Sequence, residues 1–201
     1  MSDYFKFDTS RLVPLVADIE QGQRSGHAAV LVSLVVNNGG LSLLLTRRAI
    51  NMSHHGGEVA FPGGMWEPGD HFPVSTALRE AEEEVSLQPH SVDVKGLLPA
   101  FSTRQGTQVT PVVGMLESIP QLTANSAEID SIFFVPISEL MADRRIRTDI
   151  FHRENLSLWS PAYEYQGHEI WGFTAGVIKM LLAYCFGLSL PRSHSAPEKF
   201  W

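Results

Sequence analysis

The sequence predicts a single α/β domain, and three observations support this fold class. Its 201 residues are enough for one hydrophobic core and few for two. Residues 27–36 and 41–46 are rich in branched apolar side chains and flank a glycine turn, which is typical of a β-hairpin. Residues 57–87 combine a glycine turn with a helical pattern that carries one apolar stripe and one acidic stripe.

Composition and charge exclude several classes of protein. Hydrophobic residues make up 44% of the chain and charged residues 18%, which is ordinary for a globular protein. The net charge of −7 argues against sequence-independent nucleic-acid binding, because such binding needs clustered Lys and Arg. The single cysteine, Cys185, excludes an internal disulfide and fits a reducing cytoplasm. The chain starts without the apolar core of a secretory signal, and Lys179 interrupts the apolar stretch 170–190, so we expect no membrane span.

Local patterns predict the remaining elements. Thr9 or Ser10 is a candidate N-cap of a short helix in an N-terminal cover, about residues 1–25. Pro111 indicates that the strand containing it lies at a sheet edge or has a bulge. We expect strands at 92–98, 108–116, 129–135, 156–165 and 167–170, helices from Pro136 and over 174–186, loops at 47–56 and 142–153, and a mobile tail over about 191–201.

The acidic stripe of the first long helix contains three glutamates. At about 100° per residue, Glu80, Glu83 and Glu84 fall within an arc of roughly 100°. Like charges this close repel each other, and Arg79 offsets only part of the repulsion. Mg²⁺ binds carboxylate oxygens together with phosphate oxygens, so a divalent cation would offset the rest. The alternative is a solvated acidic helix face, which would be favoured if the helix stood alone.

The segment Phe61-Pro62-Gly63-Gly64 precedes this helix, and its adjacent glycines permit close backbone approach beside a ligand. The glycines, Arg79-Glu80 and Glu83-Glu84 together resemble the Nudix box, a glycine followed at fixed spacing by Arg-Glu-x-x-Glu-Glu. Similarity to this family runs in pieces from about residue 27 to residue 183. The resemblance implies a Nudix α/β/α sandwich with a mixed β-sheet and a diphosphate hydrolase that uses Mg²⁺ or Mn²⁺.

Within the family, the chain resembles the coenzyme A pyrophosphatase branch. The spacing from Gly64 to Arg79 is one residue longer than in the general pattern, and Asp70 fills the middle acidic position. The segments 44–48 and 109–113 also resemble the branch. Three positions depart from the pattern, namely Ala49, Ser53 and Ser86, where serine, arginine and glycine are usual.

Site residues follow from this resemblance and from the charges near the helix. The catalytic residues are Arg79, Glu83 and Glu128, and either of the two glutamates is a candidate proton acceptor. The metal ligands are Glu80, Glu83 and Glu84. Candidate substrate contacts, each with an exposed-loop or turn interpretation as the alternative, are Arg47, Arg48, His55, Gly63, Gly64 and Arg104.

The resemblance implies hydrolysis of coenzyme A or acyl-coenzyme A to phosphopantetheine and adenosine 3′,5′-bisphosphate. Ala49 and Ser53 leave open a pyrophosphatase for ADP-ribose or another nucleotide sugar. A Nudix module that binds a nucleotide without hydrolysing it is an alternative from another class, and a structural protein with an acidic helix is a third. The expected partner is a small nucleotide diphosphate, with no nucleic acid and no membrane, and a homodimer is left open.

Overall fold

A mixed β-sheet lies at the centre of the computed structural model, which describes residues 7–15, 25–37, 39–52, 54–103, 105–153 and 156–201. Its strands are β1 (His27–Asn37), β2 (Gly40–Arg48), β3 (Val59–Ala60), β4 (Gly63–Met65), β5 (Asp93–Leu97), β6 (Phe101–Ser102), β7 (Gln108–Leu116) and β8 (Ile129–Pro136). In this sheet β1 runs parallel to β7 and antiparallel to β2, in the order β3-β2-β1-β7-β5. β4 pairs with β1, β6 with β7, and β8 with β2.

Two long helices cover opposite faces of this sheet. The helices are α1 (Val74–Val85), α2 (Ile137–Met141) and α3 (Gly172–Cys185), and a short 3-10 turn spans Pro89–Ser91. Because side chains alternate along a strand, Leu31 and Val35 of β1 pack in the cluster that contains α1, whereas Val32 and Leu34 pack in the cluster that contains α3. The predicted α/β/α sandwich with a mixed sheet is therefore confirmed.

The predicted hairpin is also confirmed. Asn37 pairs with Gly40 across the turn, and Leu34 pairs with Leu43 further along the two strands. The predicted strand at 129–135 and the short helix after it are confirmed as β8 and α2. Across the described ranges, no helix combines the length and apolar character needed to cross a membrane.

A second sheet of four strands follows α2, and it corrects two predictions. It consists of β9 (Arg147–Arg153), β10 (Leu156–Tyr165), β11 (His168–Ile170) and β12 (Glu198–Phe200), in the order β11-β10-β9-β12. The predicted loop at 142–153 was wrong for its second half, which is strand β9. The predicted mobile tail also differs from the structure, because β12 pairs in parallel with β9 and Trp201 stacks on Trp171 with ring centroids 4.8 Å apart.

Charge pairing explains why the basic segment forms a strand. Arg147 Nε lies 2.7 Å from Asp149 Oδ1, and Arg145 Nε lies 2.8 Å from Asp143 Oδ1. Arg145 and Asp149 are both buried. Charges that are paired in this way can enter a sheet, because each partner replaces the water that the other loses.

Two further predictions need correction. Residues 9–15 do not form a helix: Leu12 N–H donates to Thr9 O in a turn, and Val13 forms a β-bridge with Leu97. The rest of the predicted helix falls within residues 16–24 of the predicted N-terminal cover, which lie outside the described residues. β7 is an internal strand, not an edge, and the irregular pairing falls between Val94 and Gly96 of β5. Pro111 lies opposite the interruption between β6 and β5, where its carbonyl accepts a hydrogen bond from Leu98 N–H.

Candidate active site

Helix α1 ends at Ser86, the position where the sequence pattern usually has glycine. Ser86 has a φ of 58° and a ψ of 27°, which is the left-handed conformation that commonly ends a helix. Its N–H donates to Glu82 O, Leu87 N–H donates to Ala81 O, and the serine hydroxyl donates to Thr123 O. Ser86 therefore supplies the expected helix exit itself, at a conformational cost of about 1 kcal/mol.

Glu84 lies on the buried side of α1 and is only 3% exposed. Gly63 N–H donates to its Oε2 at 3.1 Å, and Arg48 Nη1 donates to its Oε1 at 3.4 Å. Burial raises the pKa of Glu84 to about 7, although the Gly63 hydrogen bond and the charge of Arg48 act in the opposite direction. The negative charges of Glu80 and Glu128 contribute to this rise, so both carboxylates act on Glu84.

Glu80 lies against the glycine turn. A Cβ atom added at Gly64 would lie 2.4 Å from Cδ and from Oε1 of Glu80, which is closer than any real contact. Glycine at this position therefore leaves the space that the Glu80 carboxylate fills. Burial raises the pKa of Glu80, and the charges of Glu83 and Glu128 add to this rise, while Arg79 opposes it.

Among the described residues, Arg79 contacts five oxygens around the site, one of which is Glu80 Oε1 at 3.0 Å. Its Nε and Nη2 donate to the two oxygens of Asp70 at 3.1 Å each, its Nη1 donates to Glu83 at 3.0 Å, and its Nη2 donates to Met65 O at 3.0 Å. The Asp70 carboxylate is partly desolvated, but its bonds from Arg79, Glu67 N–H and the Thr76 hydroxyl lower its pKa. Asp70 therefore holds Arg79 in place.

Asp70 is absent from the predicted site residues. The available signal was its middle acidic position in the Nudix-like spacing, nine residues before Arg79.

Glu128 reaches the site through the segment that connects β7 to β8. Thr123 N–H donates to Val85 O and Asn125 N–H donates to Glu84 O, so this segment is hydrogen-bonded to the end of α1. Ala49 N–H donates to Glu128 O at 2.8 Å from the other side. Within the described residues, the Glu128 carboxylate accepts no hydrogen bond and forms no ion pair, although its charge acts on Glu80 and Glu84.

The three predicted metal ligands do not converge as the helical arc suggested. Glu83 is 57% exposed and pairs with Arg79, whereas Glu80 and Glu84 turn toward the buried side. In the part of the chain that the structure describes, no three His, Cys, Asp or Glu side chains are close enough together to hold one ion. The predicted three-carboxylate cluster is therefore not assembled, and Glu83 is the member that points away.

The donor chemistry nevertheless suits a hard divalent cation. Five carboxylates lie near each other here, and in the described residues Arg48 and Arg79 pair with only four of them: Asp70, Glu80, Glu83 and Glu84, but not Glu128. Burial raises the pKa of Glu80 and of Glu84, and the neighbouring carboxylate charges add to both rises, so Arg48 and Arg79 offset only part of the cost of ionisation. Carboxylate oxygens are the ligands that Mg²⁺ and Mn²⁺ prefer, so the residues fit such an ion.

The model of the NUDIX domain family matches residues 26–157, which contain α1 and all five of these carboxylates. The chain belongs to the Nudix hydrolase family. An uncharacterized Nudix hydrolase, NudL, from Citrobacter koseri is 42% identical over 157 residues, covering 77% of this chain and 80% of that protein. Its counterpart from Photorhabdus laumondii is 38% identical over 181 residues, covering 90% and 95%. The crystal structure of the Nudix hydrolase RenU from M. smegmatis is 24% identical, with a TM-score of 0.49, covering 58% of this chain and 73% of that chain.

This Nudix domain separates the two adjacent arginines that were predicted as substrate contacts. Both belong to β2, not to a loop as predicted, and therefore project to opposite faces of the sheet. Arg48 lies beside Glu84, whereas Arg47 Nη1 lies 3.6 Å from Asp130 and Arg47 Nε donates to Gly57 O. The predicted strand ended at Thr46. Had it been extended to Arg48, the alternation of side chains between the two faces of a strand would have predicted that Arg47 and Arg48 point in opposite directions.

Of the remaining predicted substrate contacts, two lie in the site and one lies away from it. Gly63 and Gly64 lie within the site, because one donates to Glu84 and the other adjoins Glu80. His55 is exposed and its Nδ1 lies 3.0 Å from Glu58 Oε2, so the structure does not bring it to the carboxylates. Arg104 lies outside the described residues.

Proposed function

We propose that this Nudix hydrolase cleaves the diphosphate of coenzyme A or an acyl derivative, giving phosphopantetheine and adenosine 3′,5′-bisphosphate. The observation that supports diphosphate chemistry is the pair of desolvated carboxylates, Glu80 and Glu84, held against Gly64 and Gly63. The choice of coenzyme A is supported by the sequence resemblance of β2 and β7 to the coenzyme A branch.

Glu80 and Glu84 would hold the Mg²⁺ or Mn²⁺ ion, and Glu83 would join them after turning from Arg79. When bound, the ion would neutralise charge on the diphosphate oxygens and lower the pKa of the attacking water. Arg79 keeps Glu80 and Glu83 in place, since it is itself fixed by Asp70. Arg48 is the arginine positioned to reach the substrate from β2.

We assign the proton acceptor to Glu128 in preference to Glu83. Water adds to one phosphorus, the bridging P–O bond breaks, and a carboxylate takes the proton that the water loses. Glu83 Oε2 already accepts a hydrogen bond from Arg79, so this oxygen is occupied and is held away from the buried carboxylates. Glu128 has no such partner within the described residues, so its oxygens remain available for the proton.

Glu128→Gln is expected to lower kcat about 10²-fold, the lower range for loss of a general base. Glu83→Gln should instead raise the Mn²⁺ concentration needed for half-maximal activity and recover most of its kcat at saturating Mn²⁺. Steady-state kinetics over a Mn²⁺ series and a pH series separate the two. If Glu128→Gln kept its full kcat while the kcat of Glu83→Gln stayed low at saturating Mn²⁺, Glu83 would be the proton acceptor and Glu128 would not.

A substrate panel tests the proposed reaction directly. With Mg²⁺ or Mn²⁺ present, kcat/KM for coenzyme A should exceed that for ADP-ribose by about tenfold or more, with products identified by mass. If coenzyme A, ADP-ribose and dinucleoside polyphosphates all remain intact, the proposal fails.

One observation favours the ADP-ribose alternative. Ala49 replaces a serine of the coenzyme A branch, and Ala49 N–H bonds to Glu128 O, so this departure adjoins the site. A faster reaction with ADP-ribose in the same panel would establish that alternative. A regulator that only binds nucleotides is less well supported, because binding alone gains little from several repelling acids.

A further inference from the structure

The two oxygens of Glu84 are held by two different kinds of partner, a backbone amide and a charged side chain. Oε2 accepts a hydrogen bond from the backbone N–H of Gly63, and Oε1 accepts one from the side chain of Arg48. Each oxygen keeps a second lone pair, but a divalent cation at Oε1 would lie beside the positive charge of Arg48, so the two cations compete for this oxygen.

The Gly63 N–H cannot withdraw. Gly63 pairs with Val30 of β1, and a Cβ atom added at Gly63 would lie 2.4 Å from Ala29 O and 2.6 Å from Val30 Cα. This contact leaves no room for the glycine backbone to shift toward β1. The hydrogen bond to Oε2 is therefore a fixed part of the site.

The Arg48 side chain, in contrast, can leave Oε1. Its backbone is fixed in β2 by hydrogen bonds with Glu58 O and Gly57 N–H, but its side chain is 22% exposed. Among the described residues, its one hydrogen bond or ion pair is the 3.4 Å contact with Glu84. After release, the guanidinium would stay attached to β2 next to Ala49, whose N–H bonds to Glu128 O. It would therefore remain beside the carboxylates.

We propose that Arg48 is an exchangeable counter-ion of Glu84. It offsets part of the negative charge of this carboxylate in the metal-free protein, leaves Oε1 when a divalent cation binds there, and is then available to the diphosphate of the substrate. The proposal rests on the proposed function for its last step. It implies that metal binding prepares the substrate contact, since release from Glu84 frees Nη1 of Arg48 to join a paired contact with phosphate.

Calorimetric titration of Mn²⁺ into substrate-free protein tests the exchange. Arg48→Gln should bind Mn²⁺ about threefold to tenfold more tightly than the wild type, because the competing cation is gone. The same variant should show a KM for coenzyme A about tenfold higher, because its phosphate contact is lost. Arg48→Lys keeps the charge without the planar fork, so its Mn²⁺ affinity should stay near the wild-type value while its KM rises.

Arg47→Gln is the matched control for long-range charge. It removes the same charge one residue away on the opposite face, where Arg47 faces Asp130, and should change Mn²⁺ affinity by less than about twofold. If both variants tighten Mn²⁺ binding equally, the effect is general electrostatics and the proposal is wrong. If Arg48→Gln weakens Mn²⁺ binding, Arg48 only holds Glu84 in position, which also overturns the proposal.

A measurement on the wild type covers the case in which Arg48→Gln does not fold. Phenylglyoxal, which modifies accessible arginines, should label Arg48 several times faster after Mn²⁺ is added, while labelling of Arg47 stays constant. Unchanged labelling of Arg48 refutes the exchange. Failure of the wild type to hydrolyse any diphosphate, with labelling still Mn²⁺-dependent, would instead refute the proposed function and retain the exchange.

Discussion

Glu84→Gln is expected to lower kcat about 10³-fold and, without divalent cations, to make the protein more stable at pH 8. The loss of activity corresponds to about 4 kcal/mol of transition-state stabilisation, as expected when a central metal ligand is removed. The gain in stability arises because the ionised Glu84 carboxylate is buried and its partners offset only part of the cost of removing it from water. The neutral amide of glutamine avoids this cost.

The direction of the stability change follows from the pKa of Glu84. Its ordinary value is 4.5, and burial raises the pKa in the folded protein to about 7. Between these values the unfolded chain loses the proton while the folded protein keeps it, so ionisation costs stability increasingly as the pH rises. Above about pH 7 the full cost, on the order of 3 kcal/mol, is present, and below about pH 4.5 it vanishes.

Urea denaturation in EDTA at pH 4.5 and at pH 8 measures this effect. The variant should be more stable than the wild type only at pH 8, and saturating Mn²⁺ should reverse the order because the wild type alone retains full metal binding. Glu82→Gln, the same change at an exposed position of α1, is the control and should alter neither activity nor the pH dependence. A less stable Glu84→Gln protein at pH 8 in EDTA would contradict the burial argument.

Alanine at the two adjacent glycines should have different effects: a large loss of stability at Gly63, and mainly a loss of activity at Gly64. In Gly63→Ala, the added methyl group would meet the backbone of β1, which cannot move, so we expect destabilisation of about 3 kcal/mol. In Gly64→Ala, the methyl group would meet the end of the flexible Glu80 side chain, so the free energy of unfolding should fall by less than about 1 kcal/mol. Displacement of the Glu80 carboxylate should nevertheless reduce kcat about 10²-fold.

Thermal denaturation and kinetics on the same preparations separate these outcomes. Gly176→Ala is the matched control, since a Cβ atom at this position in α3 has no neighbour within 4 Å. It should leave activity unchanged and raise stability slightly, because alanine favours the helix. If Gly64→Ala retained full activity, the proposed placement of Glu80 would be wrong.

Local sequence patterns predict those parts of the fold that local physics determines. The β1–β2 hairpin follows from two apolar strands and a glycine turn, and α1 follows from its apolar stripe. β9 and β12 could not be predicted in the same way. β9 contains charges that are acceptable in a sheet only when paired with each other, and β12 depends on a partner about fifty residues away in the chain.

The candidate site shows the same limit. Helical spacing places Glu80, Glu83 and Glu84 near each other, but it does not show that Arg79 holds Glu83 outward while Glu80 and Glu84 turn inward. That difference depends on Asp70 and on the glycine turn, which meet α1 only in the folded protein. Position on the helix therefore identifies the carboxylates, and tertiary contacts decide their separate orientations.

The hydrogen bonds between the end of α1 and the segment before β8 have a consequence for engineering substrate range. Thr123 and Asn125 bind the last carbonyls of α1, and Glu128 follows three residues later. An insertion between 123 and 128 would shift the acid relative to the helix. The mostly exposed stretch 117–121 precedes these bonds, so added residues there can extend the surface around a bulky ligand while leaving the reaction centre in register.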